Sequence, residues 1–143
     1  MKLMNELKES EFQKLDSLIG KMRQKVRELI EIHQRKVDHD EERKELELEL
    51  FYKELDFIQK KWSINILWEL EIHGGLHFNE LMRHLDGISS RSLSDRLKLL
   101  NKKGLVSRNV EETIPPQVLY KLKEKGRGFV ELSLPIIWYL LSA

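Results

Sequence analysis

Residues 76–106 read LHFNELMRHLDGISSRSLSDRLKLLNKKGLV. Phe78, Leu81, Met82 and Leu85 recur at helical spacing, so one face of this segment is apolar. Asp86-Gly87 then interrupts the pattern, and Gly87 is free to take the left-handed conformation in which helices often end. A second helix restarts at once. Ser89 or Ser90 can accept from the orphan amides of its first turn, Leu93, Leu97 and Leu100 form its inward face, and Gly104 closes it. The opposite face carries Ser90, Arg91, Ser94, Asp95 and Lys98. Two short helices joined by a tight turn make a helix-turn-helix. Its second helix, spanning about residues 89–103, presents hydroxyls and long cations of the kind that reach base edges and phosphates in a major groove.

Beyond that helix, Leu105–Val110 alternates apolar and polar residues, and Gln117–Lys123 repeats the alternation through Val118, Tyr120 and Lys121. Between them lie Glu111, Glu112, Thr113 and the Pro115-Pro116 pair, which cannot donate to a strand ladder and so belongs to a turn or an edge. Helix, helix and β-ribbon predict a winged helix-turn-helix domain, mostly α with a small β-wing.

The residues now resemble a known family, the HxlR-type winged-helix transcriptional regulators, which are related to the MarR regulators. Four stretches carry the resemblance: KKWSINILWEL, FNEL, GISSRSLSDRLKLLNKKGLVSR and PPQVLYKLKEKGR. They fall in roughly the last three-fifths of the chain. The family typically shows Gly-Lys-Trp, Pro-Pro-Arg-Val-Glu-Tyr and Thr-Glu-Lys-Gly where this chain has Lys60-Lys61-Trp62, Pro116-Gln117-Val118-Leu119-Tyr120 and Lys123-Glu124-Lys125-Gly126. Gln117 stands in place of an arginine, and Glu111 and Glu112 make the wing tip acidic. The resemblance implies a DNA-binding regulator whose first and last helices form a dimer interface.

Charge supports the same assignment. The net charge of +1 hides an asymmetry: residues 1–58 hold 12 Lys and Arg against 15 Asp and Glu, whereas the remainder holds 13 against 9. Between Ser89 and Arg108 the balance is 6 basic to 1 acidic, so the positive potential sits on and just after the recognition helix, where phosphates would approach. The expected DNA-contacting set is Ser89, Ser90, Arg91, Ser94, Asp95, Arg96, Lys98, Lys102, Lys103 and Arg108. Arg96, next to Leu97, has a second reading as the partner of a carboxylate within the fold.

A length of 143 residues with 41% hydrophobic content suffices for one buried core and not for two large ones. The sequence holds no apolar run long enough to span a bilayer and no secretory pattern at its start, so the expectation is a cytoplasmic protein without a membrane partner. Zero cysteines exclude disulfides, thiolate metal sites and thiol-based sensing within these residues. The sequence names no small-molecule effector.

The N-terminal third has a different character. Phe12, Leu15, Ile19, Met22, Val26, Leu29 and His33 follow one another at alternating spacings of three and four, the a/d pattern of about three heptads of coiled coil. Gly20 weakens this helix by about 1 kcal/mol relative to alanine. VDHDEER, at Val37–Arg43, reads as a link to a second helix from about Glu42 to Gln59, in which Leu46, Leu50, Leu55, Phe57 and Ile58 supply apolar contacts and ELELEL at Glu45–Leu50 is helical despite its alternation. The division is therefore residues 1–41 as a coiled-coil dimerisation helix and 42–143 as the winged-helix domain. Two arrangements stay open, pairing between two chains and a hairpin within one. Pairing between chains is preferred, because a protruding hairpin leaves too much apolar stripe uncovered. The expected homodimer interface is Leu15, Ile19, Met22, Val26 and Leu29, with Trp138 and Leu141 from a final helix that is apolar nearly all round and that Pro135 should kink or restart.

Other chemistries find no support. His73, His77 and His84 flank the entry to the helix-turn-helix, but with Gly74-Gly75 between the first two and no nearby acidic pair at a fixed helical offset they are not read as a metal site. The serines at Ser90–Ser94 lack a histidine and acid placed to activate them, and Gly126-x-Gly128 lacks the spacing of a phosphate loop. Trp62 and Trp68 read as core. Neither an enzyme nor a cofactor is expected. Two function classes remain: a sequence-specific, homodimeric regulator of transcription acting on double-stranded DNA, and a winged helix for assembly or non-specific DNA compaction with the coiled coil as its working surface.

Overall fold

A computed structural model describes residues 9–36 and 40–142 of the chain. In order the elements are α1 (Glu9–Lys36), α2 (Asp40–Leu55), a 3-10 turn (Asp56–Gln59), α3 (Ser63–His73), β1 (Leu76–His77), α4 (Phe78–His84), α5 (Ser90–Lys102), β2 (Val106–Glu111), β3 (Gln117–Leu122) and α6 (Glu124–Ser142). These residues group into two compact units. One holds those up to Glu49 together with Ser133 onward, and the other is Leu50–Leu132. In the first of these the end of α6 packs on α1.

The Leu50–Leu132 unit has the winged helix-turn-helix arrangement. Phe57 from the 3-10 turn, Ile66, Leu67 and Leu70 from α3, Leu81 from α4 and Leu93, Leu97 and Leu100 from α5 are buried in one cluster with Leu105, Val106, Tyr120 and Val130. The three α5 leucines lie on one side of that helix, since offsets of three and four bring residues to a common face. Gly87, at φ +88°, makes the turn between α4 and α5 in a conformation that a β-carbon would strain. Trp62 precedes α3 at φ +78°, and its ring packs on the core.

The sheet has three antiparallel strands in the order β1-β3-β2. The β2–β3 hairpin runs in register from Val106 opposite Leu122 to Glu111 opposite Gln117. A third strand, β1, pairs Leu76 with Tyr120 and His77 with Leu119; two residues are too few to show a period in the sequence. At the entry to β2 the expected alternation is replaced by consecutive burial of Leu105, just before the strand, and Val106, its first residue, while Val110 is 59% exposed, because the strand leaves the core as it enters the wing. Gly126 lets α6 dock: a β-carbon there would stand 2.2 Å from the Leu105 carbonyl oxygen.

In the other unit, Ile19 is buried and Phe12 and Leu15 are half-buried. The Phe12 ring stacks on Trp138 at 3.9 Å, Trp138 Nε1 donates to Asp16 Oδ1 at 2.7 Å, and Arg23 lies 4.9 Å over the Tyr139 ring. Trp138 thus has packing and hydrogen-bond partners within one chain. Leu18, Met22, Val26, Leu29 and Ile32 remain exposed, as do Ile136, Ile137, Leu140 and Leu141. Pro135 does not restart α6, which runs as one helix from Glu124 to Ser142. The helical reading of ELELEL holds within α2, but α2 begins before Glu42, and Leu46, Leu50 and Ile58 are exposed while Leu55 and Phe57 pack on the core. The expected linker falls partly on residues 37–39, which lie outside the described residues, as does the His33 side chain.

Candidate nucleic-acid interface

Ser89 begins α5 as its N-cap, its Oγ accepting from the Ser92 amide at 3.1 Å. At 3.6 residues per turn, α5 has three distinct stripes beside its buried leucines. The outermost carries Arg91, Asp95, Lys98 and Lys102, all exposed together with Ser90 at the helix start. Among the described residues, none of the side chains of Arg91, Lys98, Lys102 and Arg108 has a hydrogen-bond or ion-pair partner.

The flank toward the sheet carries half-buried Ser94 and exposed Asn101. Asn101 Nδ2 donates to the Val106 carbonyl at 2.9 Å, joining the end of the helix to the start of β2. Ser94, Lys98 and Asn101 meet Arg108 and Tyr120 around a cleft of about 170 Å³. Arg108 of the wing therefore stands beside the cations of the helix. Asn101 and Tyr120 are absent from the sequence-derived set, and only the pairing of β2 with β3 puts Tyr120 beside this helix.

The third stripe faces the fold. Arg96 Nε donates to the Lys61 carbonyl at 2.9 Å, a backbone partner and not the carboxylate the sequence suggests as its second reading. Lys103 ion-pairs with Asp56 and donates to the Lys53 carbonyl at 2.7 Å, and hydrogen bonding by Lys103 holds the Asp56 carboxyl below its ordinary range. The Lys103 ammonium is thereby turned away from the outer stripe. Arg96 and Lys103 are seven residues apart, so they share one stripe; that spacing is the signal in the sequence that separates them from Arg91, Lys98 and Lys102.

Expected as one group, the three histidines divide. His77 bridges α4 to the wing: its amide donates to Glu80 Oε1 at 3.0 Å, its Nδ1 lies 2.5 Å from the same oxygen, and its Nε2 lies 3.1 Å from Glu111 Oε2. Both ring nitrogens thus face carboxylates, which favours the doubly protonated ring. Glu80 first, and then Glu111, raise His77 above the ordinary histidine value, while the His77 amide and ring lower Glu80. Glu111 is consequently engaged, leaving Glu112 as the exposed acid of the wing tip. There Thr113 Oγ1 donates to the Pro115 carbonyl and accepts from the Gln117 amide. His73 and His84 instead meet Glu69, an acid that does stand at a helical offset, four residues before His73.

A recognition helix, a β-ribbon and a basic outer stripe define the class of winged helix-turn-helix regulators. The chain belongs to the HxlR-like helix-turn-helix family, whose model matches residues 57–137, a family of transcriptional regulators and not of enzymes. It is 40% identical over 78 residues to the candidate regulatory protein MalR of Fusobacterium mortiferum, covering 54% of this chain and 74% of that protein. It is 34% identical over 82 residues to the uncharacterized HTH-type transcriptional regulator YvaP of Bacillus subtilis (strain 168), covering 57% and 75%. Among solved structures, a candidate transcriptional regulator of the MarR family from Enterococcus faecalis V583 aligns with a TM-score of 0.57 at 35% identity, covering 72% of this chain and 88% of that one. The reduced form of the transcriptional regulator YodB from B. subtilis aligns with a TM-score of 0.53 at 29% identity, covering 57% and 79%. No helix among the described residues is long and apolar enough to cross a membrane.

Proposed function

We propose that this protein is a cytoplasmic, homodimeric regulator that binds a specific double-stranded DNA site, with α5 in the major groove. The observation that supports this reading is the outer stripe of α5, where Arg91, Lys98 and Lys102 stand exposed and unpaired beside Arg108. Arg91 and Ser94, with Ser90 and Asp95, are the base readers; Lys98, Lys102 and Arg108 contact phosphates, and Ser89 caps the helix that carries them. Arg96 acts from the edge of this set through its terminal nitrogens.

Dimerisation follows from α1 and α6. One chain leaves Met22, Val26, Leu29 and Ile32 exposed on α1, and Ile137 and Leu141 exposed on α6. A second copy offers an identical heptad stripe to cover the first, so α1 works as a coiled coil between chains. Thiol redox control is excluded for these residues, since they contain no cysteine.

Selection of bound sequences from random DNA tests the reading and reports the site at once. A ratio of specific to non-specific affinity of about 10³ to 10⁷ at physiological salt is expected of a regulator, and a ratio near unity would favour the compaction role. Arg91→Ala should cost about 1–3 kcal/mol on the selected site and relax preference at one base pair.

A further inference from the structure

We propose that Glu69, His73 and His84 form a binding site for one borderline transition-metal dication, zinc(II) or its neighbours cobalt(II) and nickel(II). Glu69 and His73 are four residues apart and so share a face of α3, while His84 is the last residue of α4. Packing of α3 on α4 around Leu70 and Leu81 brings the three together. His73 Nε2 lies 3.2 Å and His84 Nδ1 3.4 Å from one carboxylate oxygen, Glu69 Oε2, and the three potential ligand atoms all lie within 4.8 Å of one another. The imidazole rings are 4.5 Å apart, centre to centre.

These separations fit a metal site. Bonds of about 2.0–2.1 Å in tetrahedral geometry put neighbouring ligand atoms roughly 3.3–3.4 Å apart. The two separations from Glu69 are already close to that length, and the ligand atoms of the two imidazoles lie within 4.8 Å of each other. Two imidazoles and one carboxylate suit zinc, cobalt or nickel, whereas magnesium and calcium call for oxygen donors throughout. Three protein ligands leave a fourth position for water or a small ligand. Side-chain exposures of 37%, 26% and 37% for His73, Glu69 and His84 give the ion a path from solvent. Ligands carried by helices that pack through a buried core are held in place before the ion arrives. A bound ion would tie the C-terminal end of α3 to that of α4, directly before the turn into α5. The inference does not rest on the DNA-binding reading, and each can fail without the other.

The test uses the full chain without an affinity tag. Calorimetric titration with zinc chloride should show one saturable site per chain, and cobalt(II) should give the visible spectrum of a tetrahedral nitrogen–oxygen site. His84→Ala and the isosteric Glu69→Gln should each weaken binding by at least about tenfold, while the double variant His33→Asn, His39→Asn retains it. Zinc should raise the melting temperature of the wild type and not that of the two site variants. Circular dichroism establishes that the variants are folded, and Glu69→Gln carries the comparison if His84→Ala is not. Absence of saturable binding to the wild type, equal binding by the wild type and a folded site variant, or loss of binding only in the His33, His39 double variant would overturn the proposal.

Discussion

Lys98 and Lys103 are both cations of α5 or its C-cap, yet their surroundings differ. Lys98 is exposed without a protein partner, whereas the Lys103 ammonium is held by Asp56 and the Lys53 carbonyl. Lys98→Ala should weaken binding to all DNA sequences alike and reduce the salt slope of log affinity by about one. Lys103→Ala should leave that slope unchanged and lower the melting temperature instead; titrations at several salt concentrations separate the two. His77 supplies a pH dependence at the same scale. Its folded value lies above the ordinary 6.5 and that of Glu80 below the ordinary 4.5. The imidazolium's contribution is therefore complete below about 6.5 and lost as pH rises through the folded histidine value. Glu80's contribution is complete above about 4.5 and lost as pH falls through its folded value. Thermal melts of His77→Asn against wild type should differ most between about pH 4.5 and 6.5 and converge in alkaline solution. A difference that grew with pH would show that the ring acts as a neutral group.

Two glycines of α6, two residues apart, show how an element is docked. A β-carbon at Gly126 meets the Leu105 carbonyl oxygen and the Leu122 side chain, whereas one at Gly128 meets nothing within 4 Å. Gly126→Ala should destabilise the fold by about 1–3 kcal/mol through overpacking against backbone. Gly128→Ala should stabilise it by about 0.5–1 kcal/mol, because alanine loses less conformational freedom in a helix. Denaturant midpoints give both signs. The wing is decided at this scale too: Glu111 is tied to His77 while Glu112 is exposed. Glu112→Lys should tighten binding to any DNA, by roughly tenfold or less at moderate salt, through counterion release. An unchanged affinity would mean that the hairpin tip stays clear of the phosphates.

For the molecule as a whole, regulation through a two-fold DNA site needs two recognition helices about 34 Å apart, which only a dimer interface can fix. The structure changes which residue tests this. Ile19 is 8% exposed within one chain, so a charge there would damage the monomer and confuse the result. Val26 is 47% exposed, and an aspartate in its place stays hydrated in a lone chain but would be dry in a coiled coil, where an unpaired charge costs several kcal/mol. Val26→Asp should shift sedimentation toward monomer and reduce affinity for a palindromic site toward that of a half-site, with the folded spectrum unchanged. A fully dimeric Val26→Asp protein would move the interface away from this stripe.

Local chemistry was enough to place the helix-turn-helix, a serine cap at Ser89 or Ser90, the Gly87 turn and the leucine face of α5, because each depends on residues within a few positions of one another. The same holds for most of the outer basic stripe, which follows from helical period alone. Contacts distant in the chain were decided by packing. Whether Arg96 and Lys103 turn inward depends on carbonyls and a carboxylate between residues 53 and 61, some 35 to 50 positions away. The third strand is two residues whose pairing exists only once β3 lies alongside. Trp138 meets Phe12 and Asp16 across more than a hundred residues, and His84 meets Glu69 only because two helices share a core. A periodic pattern records which face of an element is apolar; which other face it meets is a property of the packed chain, where burial and hydrogen bonding of distant groups are satisfied together.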